Sequence, residues 1–381
     1  GSSLWAEKFD ARFTDIFAVQ DEIAEKVVSA LKIQMDAAEQ TRVFRRYTEN
    51  VEAYEAYLRG RALLTEYTKV STLASLEAFQ EALALDPGYV LARDGLATAS
   101  AEMYLRFATN AEQKVWGERA EREISLALAA DPNLAETHQA LAAVYRKKDF
   151  NWEKVIEESD LALQLNPNLE QPHYYRSAAF YHLGLLDLSV EEAEKGAAIN
   201  PQNRTDFLRA KGIAALYAGK YSEAVLMLEE VQHLSSKPLS DSHLAMAYYY
   251  QGETKRAAAL LEELSRDESA SASARARAAL ASFHAARGAR KESLELLKAV
   301  KAENYIDHHV AYSVGATYAQ LGQNNEAVGW LRRAVEIGLP CFPLYERDKL
   351  LEPIRSHNEF QSLLNELRES QKAALSRYGS H

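Results

Sequence analysis

Turn-forming residues recur along this chain at intervals of about 34 residues, and small and apolar residues keep fixed offsets between them. Apolar positions spaced three and four apart predict amphipathic helices. A glycine separates two such helices in each of the later units, at Gly184, Gly219, Gly252, Gly288 and Gly322. Self-similarity at this period is typical of solenoids built from helical hairpins. The pattern predicts eight hairpins across residues 51–338.

Each predicted hairpin uses the same kinds of residue at the helix crossings. Its first helix carries an apolar residue followed by a small one, as in Leu244-Ala245. Its second helix places a small residue four positions before a large one, as in Ala257 and Leu261. Small residues let two helices approach closely, and the large ones fill the adjacent gap. In the first half of the array, a proline after Asp or Asn ends the second helix, because proline cannot continue a helix. These pairs are Asp86-Pro87, Asp131-Pro132, Asn166-Pro167 and Asn200-Pro201.

Two hairpins depart from the common pattern. The second has about ten extra residues around 103–113, relative to the repeat length of the others. The third carries Asp149-Phe150-Asn151-Trp152 at its turn, where later hairpins have glycine. We expect this aromatic pair to pack between helices rather than to contact a ligand. The irregular second hairpin marks where a specialised contact is expected.

The two ends of the chain do not match the repeat. Residues 1–3 are typical of an expression scar, so the chain is expected to be a fragment of a longer protein. Within 4–50, residues 4–10 alternate apolar and polar positions and predict a strand, and residues 14–40 predict an amphipathic helix. Residues 339–367 are apolar at spacings that predict a cap on the last hairpin, because an open solenoid end exposes apolar surface. Residues 368–381 are predicted to be a polar, fraying tail.

The small–large–small positions, the turn glycines and the closing prolines together resemble the tetratricopeptide repeat (TPR) over about three-quarters of the chain. The resemblance implies an all-α, right-handed superhelical solenoid of about eight TPR hairpins, with an N-terminal helix and C-terminal capping helices. Residues 4–23 and 350–364 are also similar to the ends of the TPR region in bacterial multidomain signalling proteins. That family implies an upstream kinase, cyclase or winged-helix domain, none of which has its motifs in this sequence.

Composition narrows the function further. The formal net charge is −11, which argues against a general nucleic-acid-binding surface. Cys341 is the only cysteine, so a disulfide within the chain and a multi-cysteine metal site are excluded. It stands in an apolar turn without an adjacent acid or base, which indicates a buried, inert thiol. No apolar run approaches the roughly 18 residues that a membrane-spanning helix needs.

The sequence shows no pattern typical of catalysis. His308 and His309 are adjacent, so they face different sides of a helix and do not form a chelating i, i+4 pair. No HExxH motif, nucleophile elbow or phosphate loop is present. Adjacent glutamates such as Glu157-Glu158 are expected on solvated helix faces. We therefore expect no enzyme activity, no cofactor and no metal site.

Surface recognition remains as the expected function. In a TPR array the first helices line a concave groove, and the positions that flank each small residue face it. The polar or aromatic residues at these positions are Gln139, Arg146, Tyr174, Tyr181, Arg209, Ser242, Tyr249 and Tyr312. Tyrosine and arginine are typical interface anchors. The resulting hypothesis is a non-catalytic module that binds a protein or peptide in this groove, as scaffold or sensor of a bacterial signalling protein.

Two alternatives stay open. The groove could close on a small ligand and act as a regulatory sensor, or the chain could self-associate as a homodimer through residues 4–40. We expect no membrane insertion by this chain and no direct nucleic-acid contact. Cytoplasmic localisation is the first expectation, and an extracytoplasmic one applies if a transmembrane helix lies upstream.

Overall fold

A computed structural model describes residues 45–66, 68–108, 110–234, 242–302 and 305–379, together with Lys26. Apart from Lys26, the strand and helix predicted within residues 4–40 lie outside the described residues, as does the homodimer contact assigned to them. All regular structure in the described ranges is helical. The prediction of an all-α helical-repeat solenoid is therefore confirmed.

The array consists of eight helical hairpins, α1–α2 through α15–α16. Their helices are α1 (Val51–Leu64), α2 (Lys69–Leu85), α3 (Val90–Glu102), α4 (Asn110–Ala130), α5 (Ala135–Val144), α6 (Trp152–Leu165), α7 (Gln171–His182), α8 (Leu186–Ile199), α9 (Arg204–Tyr217), α10 (Tyr221–Leu234), α11 (Ser242–Gln251), α12 (Thr254–Leu264), α13 (Ala270–Ala286), α14 (Arg290–Ala302), α15 (His308–Gln320) and α16 (Asn324–Glu336).

Close packing inside the hairpins follows the predicted small and large positions. A β-carbon added to Gly315 in α15 would meet Leu331 of α16 at 2.8 Å. The same substitution at Gly212 in α9 would meet Leu228 of α10 at 2.8 Å. Real β-carbons do not approach carbon atoms this closely, so only glycine permits these crossings. The repeated small–large pairing thus sets the spacing of the two helices in each hairpin.

Two helices end in a turn of wider, π-helical geometry. Met103–Phe107 continues α3, and Tyr145–Asp149 continues α5. After the second turn, Phe150 adopts a left-handed backbone with φ of 49°. These turns occur in the two hairpins whose sequences depart from the common pattern. Single π-turns inside helical proteins are frequent at functional sites.

The segment after the last hairpin packs back on the array. It contains α17 (Phe342–Arg347), a 3-10 turn (Lys349–Ile354) and α18 (Asn358–Tyr378). Residues 368–378, assigned to a polar tail by the sequence, are helical in α18. Gln371 donates a 2.6 Å hydrogen bond to the carbonyl of Gly184, and Arg377 pairs with Glu153 at 3.3 Å. These contacts with the fourth and third hairpins hold the end of the helix.

The later hairpins also return to the first ones. The indole of Trp152 donates a 2.6 Å hydrogen bond to the carbonyl of Gly338 across 186 residues. Ser269 donates at 3.4 Å to the carbonyl of Arg106, and the Nε2 atoms of His182 and His308 lie 3.1 Å apart. The superhelix therefore closes on itself, and its concave face becomes the wall of an internal space.

Candidate ligand-binding cavity

A cavity of about 300 Å³ lies inside the closed superhelix. Its wall includes side chains from α3, α7, α9 and α15 and from both π-turns. Aromatic rings of Phe150, Trp152, Tyr174, Tyr175 and Tyr181 form much of the apolar lining. Volumes of about 300–1,000 Å³ are typical of small-molecule sites, so this cavity stands at the lower end of that range.

The cavity is basic, although the chain as a whole is acidic. Its described lining includes six cationic and two anionic side chains, namely Arg61, Arg106, Arg146, Lys147, Arg209 and Arg275 against Glu102 and Asp206. The chain carries a formal net charge of −11. Positive charge inside a low-dielectric wall attracts anions more strongly than the same charge on an open surface. The electrostatics of the cavity therefore favour an anionic occupant.

Part of this positive charge is neutralised within the wall. Glu102 at the end of α3 is buried and forms ion pairs with Lys147 and Arg106. Burial alone would raise the pKa of Glu102, but the two cations lower it to about 2. On the opposite side, Arg275 donates a 2.6 Å hydrogen bond to the buried carboxylate of Asp307. These three cations are thus held in place by carboxylates.

Arg146 is held by rings instead of a carboxylate. Its guanidinium lies 5.2 Å from the ring centre of Tyr174 and 5.4 Å from that of Tyr175. Among the described residues, no hydrogen-bond acceptor reaches its buried Nε atom. Arginine stays protonated at all physiological pH values. A permanent cation with unused donor capacity therefore lines the cavity beside two aromatic rings.

Four histidines meet at one side of the cavity. His182 at the end of α7 faces His308 and His309 at the start of α15, and His243 of α11 lies 4.9 Å from His309 between ring centres. Trp152 stacks on His182 at 4.0 Å. Burial lowers the pKa of His308 to about 3, and burial together with neighbouring His308 lowers the pKa of His182 and His309 well below the usual value. The rings of His182, His308 and His309 are therefore neutral at pH 7.

The structure brings together half of the groove residues that the sequence indicates. Arg146, Tyr174, Tyr181 and Arg209 all line the cavity. The other four lie elsewhere: Gln139 is half-buried in α5, Tyr249 stacks on Phe283 at 3.9 Å, and Ser242 and Tyr312 line a second, much smaller cavity. Tyr312 also donates a 2.6 Å hydrogen bond to Asp348.

Several cavity residues were outside the sequence-derived set. Phe150 and Trp152, expected to pack, do pack against His308 and His182 and also line the cavity. Arg106 and Lys147 stand on the two π-turns. The unusual length of the second hairpin and the missing turn glycine of the third were the signals that could have identified them. The histidine cluster joins positions 126 residues apart, so local spacing did not reveal it.

Comparison with known proteins gives information on the fold of this chain and little on its function. No family model matches the chain. A putative adenylate cyclase 3 from Rhizobium meliloti is 34% identical over 96 residues, which span 25% of this chain and only 16% of that protein. The match therefore leaves most of the cyclase outside the comparison.

Solved structures with a similar course of the chain are helical-repeat proteins. The human IFIT1 dimer with m7Gppp-AAAA aligns over 84% of this chain and 76% of its own, with a TM-score of 0.52 and 15% identity. A thermophilic TPR protein from Thermus thermophilus aligns over 52% of this chain and 97% of its own, with a TM-score of 0.39 and 17% identity. At 15% identity, the likeness to IFIT1 concerns the fold alone. Within the described part of the chain, no helix combines the length and the apolar character needed to cross a bilayer.

Proposed function

We propose that this chain is a non-catalytic ligand-sensing module, and that its central cavity binds a small anionic ligand with a planar or aromatic group. The observation that carries the proposal is the basic cavity inside an acidic protein. The module would belong to a multidomain bacterial signalling protein, which the partial likeness to a cyclase supports. This proposal corresponds to the regulatory small-ligand sensor, one of the two alternative hypotheses from the sequence.

The side chains that line the cavity suit both the anionic group and the planar group of such a ligand. Arg146 offers a fixed positive charge and an unused hydrogen-bond donor at Nε, which suit phosphate or carboxylate oxygens. Tyr174, Tyr175 and Tyr181 offer ring surface beside that charge. Aromatic rings hold planar ligand groups by stacking. The human IFIT1 dimer, whose fold is comparable, has a structure with m7Gppp-AAAA, a ligand that carries phosphates.

The closed geometry favours a small ligand over an extended peptide. A peptide would need a continuous open groove along successive first helices. Here Asp348 follows α17 and bonds to Tyr312 and Tyr250, so the later part of the concave face is covered. Arg61 is exposed and also lines the cavity, so ligand entry on the side of α1 remains open. The groove residues proposed to contact the ligand are therefore Arg146, Tyr174, Tyr181 and Arg209.

The experiment is a calorimetric titration with three probes: ATP, pyrophosphate and adenosine. ATP carries both charge and a planar ring, whereas each of the others carries one of the two. We expect ATP to bind most tightly, and the Arg146→Gln variant to weaken ATP binding about 10- to 100-fold through the lost charge-assisted hydrogen bonds. Raised salt should weaken binding as well.

The matched control is Arg204→Gln. Arg204 is an arginine of α9 whose half-exposed side chain pairs with Glu230 outside the cavity. Its loss should leave the affinity for ATP unchanged. Equal effects of the two substitutions, or a failure of all three probes to bind, would overturn the proposed anion site.

A further inference from the structure

We propose that His182, His308 and His309 form a binding site for a divalent transition metal of the zinc class. The nearest ring nitrogens of the three residues all lie within 4.8 Å of one another. Zinc binds imidazole nitrogen at about 2.0–2.1 Å, which places two tetrahedral ligand atoms roughly 3.3 Å apart. The Nε2 atoms of His182 and His308 are 3.1 Å apart, close to that separation. Only His309 needs to turn toward the pair.

The protonation of His182 suits a metal ligand. Its Nδ1 lies 2.7 Å from the carbonyl of Ala178, so Nδ1 carries the proton and donates it. Its Nε2 therefore presents a lone pair toward His308. Metal-binding histidines usually donate their second N–H to a backbone carbonyl in this way, which fixes both tautomer and ring orientation. Trp152, stacked on the ring at 4.0 Å, restrains it further.

The adjacent pair on α15 is completed by a residue from a distant helix. The expectation of no metal site rested on the single cysteine, on the absence of an HExxH motif and on His308 and His309, which do not chelate as neighbours on one helix. Closure of the superhelix brings His182 of α7 beside both of them, 4.8 Å from the His308 ring centre and 5.5 Å from that of His309. Three imidazoles on two helices would leave a fourth coordination position open, as in catalytic zinc centres with three protein ligands.

The charges around the cluster leave room for a cation. Arg275 acts electrostatically on both His308 and His309, and it is paired with Asp307 at 2.6 Å. Asp307 also caps α15 by accepting from the Val310 amide at 2.9 Å. Because all three histidines line the basic cavity, the fourth ligand of the metal would come from that side, as water or an anion.

The test is a titration of chelator-treated protein, without a polyhistidine tag, with CoCl2 and then with ZnCl2. We expect one Co²⁺ per chain, with the visible absorption bands of a tetrahedral site, and displacement of Co²⁺ by Zn²⁺. His182→Ala and His308→Ala should each weaken the affinity at least about 100-fold. His182→Gln, which keeps more side-chain volume, serves as a second variant where the alanine variant fails to fold.

The control is His233→Ala, since His233 is exposed on α10. It should retain the wild-type stoichiometry and spectrum. Binding that survives all three cluster substitutions, binding that His233→Ala removes, or the absence of stoichiometric binding by wild-type protein would each overturn the proposal. The readout uses the metal alone, so failure of the anion site does not affect it.

Discussion

Tyr312 donates a 2.6 Å hydrogen bond to Asp348, and so joins the last hairpin of the array to the segment that follows it. Tyr250 of the sixth hairpin donates to the same carboxylate at 2.6 Å. Asp348 is buried, and it also accepts from the Leu350 amide at 2.7 Å. One carboxylate therefore ties two hairpins to the C-terminal segment.

We predict that Asp348→Ala lowers the free energy of unfolding by about 3–5 kcal/mol, because it leaves two buried phenols without their acceptor. Urea unfolding followed by circular dichroism measures the change. Glu346→Ala is the control, since Glu346 is exposed and its ion pair with Arg368 is long, at 3.9 Å. If Asp348→Ala lowers the free energy of unfolding by less than about 1 kcal/mol, the hydrogen bonds to Asp348 do not hold the C-terminal segment on the array.

Gly338→Ala tests closure of the superhelix. Gly338 has φ of 114°, and an added β-carbon would lie 2.8 Å from the β-carbon of Phe150. Gly322 has a comparable φ of 74°, but nothing lies within 4 Å of its added β-carbon. Gly322→Ala should cost about 1 kcal/mol of backbone strain, and Gly338→Ala about 1–3 kcal/mol more. Thermal unfolding of both variants measures the difference, and equal costs would show that the contact with Phe150 is unimportant.

Glu102→Gln tests the ion pairs in the cavity wall. The change removes the carboxylate that pairs with buried Lys147, so we expect a loss of about 3–5 kcal/mol at pH 7. The pKa of Glu102 in the folded protein, about 2, is below its unfolded value. Its stabilisation is therefore present above about pH 4.3 and is lost as the pH falls toward 2. The difference between wild type and variant in urea unfolding should shrink over that range.

The matched control for Glu102→Gln is Glu121→Gln. Glu121 also pairs with a lysine, Lys148 at 2.8 Å, but its side chain is exposed. An exposed pair contributes about 0–1 kcal/mol. If both glutamine variants behave alike, burial does not strengthen the pair at Glu102.

Asp94→Asn should stabilise the protein at neutral and higher pH. Asp94 is buried, and one carboxylate oxygen accepts from Thr137 at 3.1 Å. Burial raises its pKa to about 8, despite the opposing hydrogen bond from Thr137. The pKa of Asp94 is therefore higher in the folded protein than in the unfolded chain, where it is about 3.9. Its contribution to stability is complete below about pH 3.9 and is lost as the pH rises to 8.

Asparagine imitates the neutral acid, so the advantage of Asp94→Asn should be small at pH 4 and grow up to about pH 8. Unfolding in urea at pH 4, 6 and 8 measures it. Exposed Asp187 provides the control, and Asp187→Asn should change stability by less than about 0.5 kcal/mol at each pH. A flat difference for Asp94→Asn would mean that the carboxyl group is ionised in the folded protein.

Half of the groove residues predicted from the sequence line the cavity. Arg146, Tyr174, Tyr181 and Arg209 followed from their offset to the small residue of each first helix, because helical periodicity fixes which side chains share a face. Tyr249 and Tyr312 have the same offset, yet they contact Phe283 and Asp348. Those partners come from a neighbouring hairpin and from the C-terminal segment, so the offset alone did not separate cavity-lining from packed positions.

The sequence by itself determined the eight hairpins and their spacing. These depend on contacts between residues close in the chain, such as Gly315 with Leu331, which repeat often enough to be recognised. Only the tertiary structure decided that the superhelix closes and that His182 meets His308. Small rotations between successive hairpins add up along the array, and no local residue pattern specifies their sum. The cavity, its charge and its histidine cluster follow from the total rotation along the array.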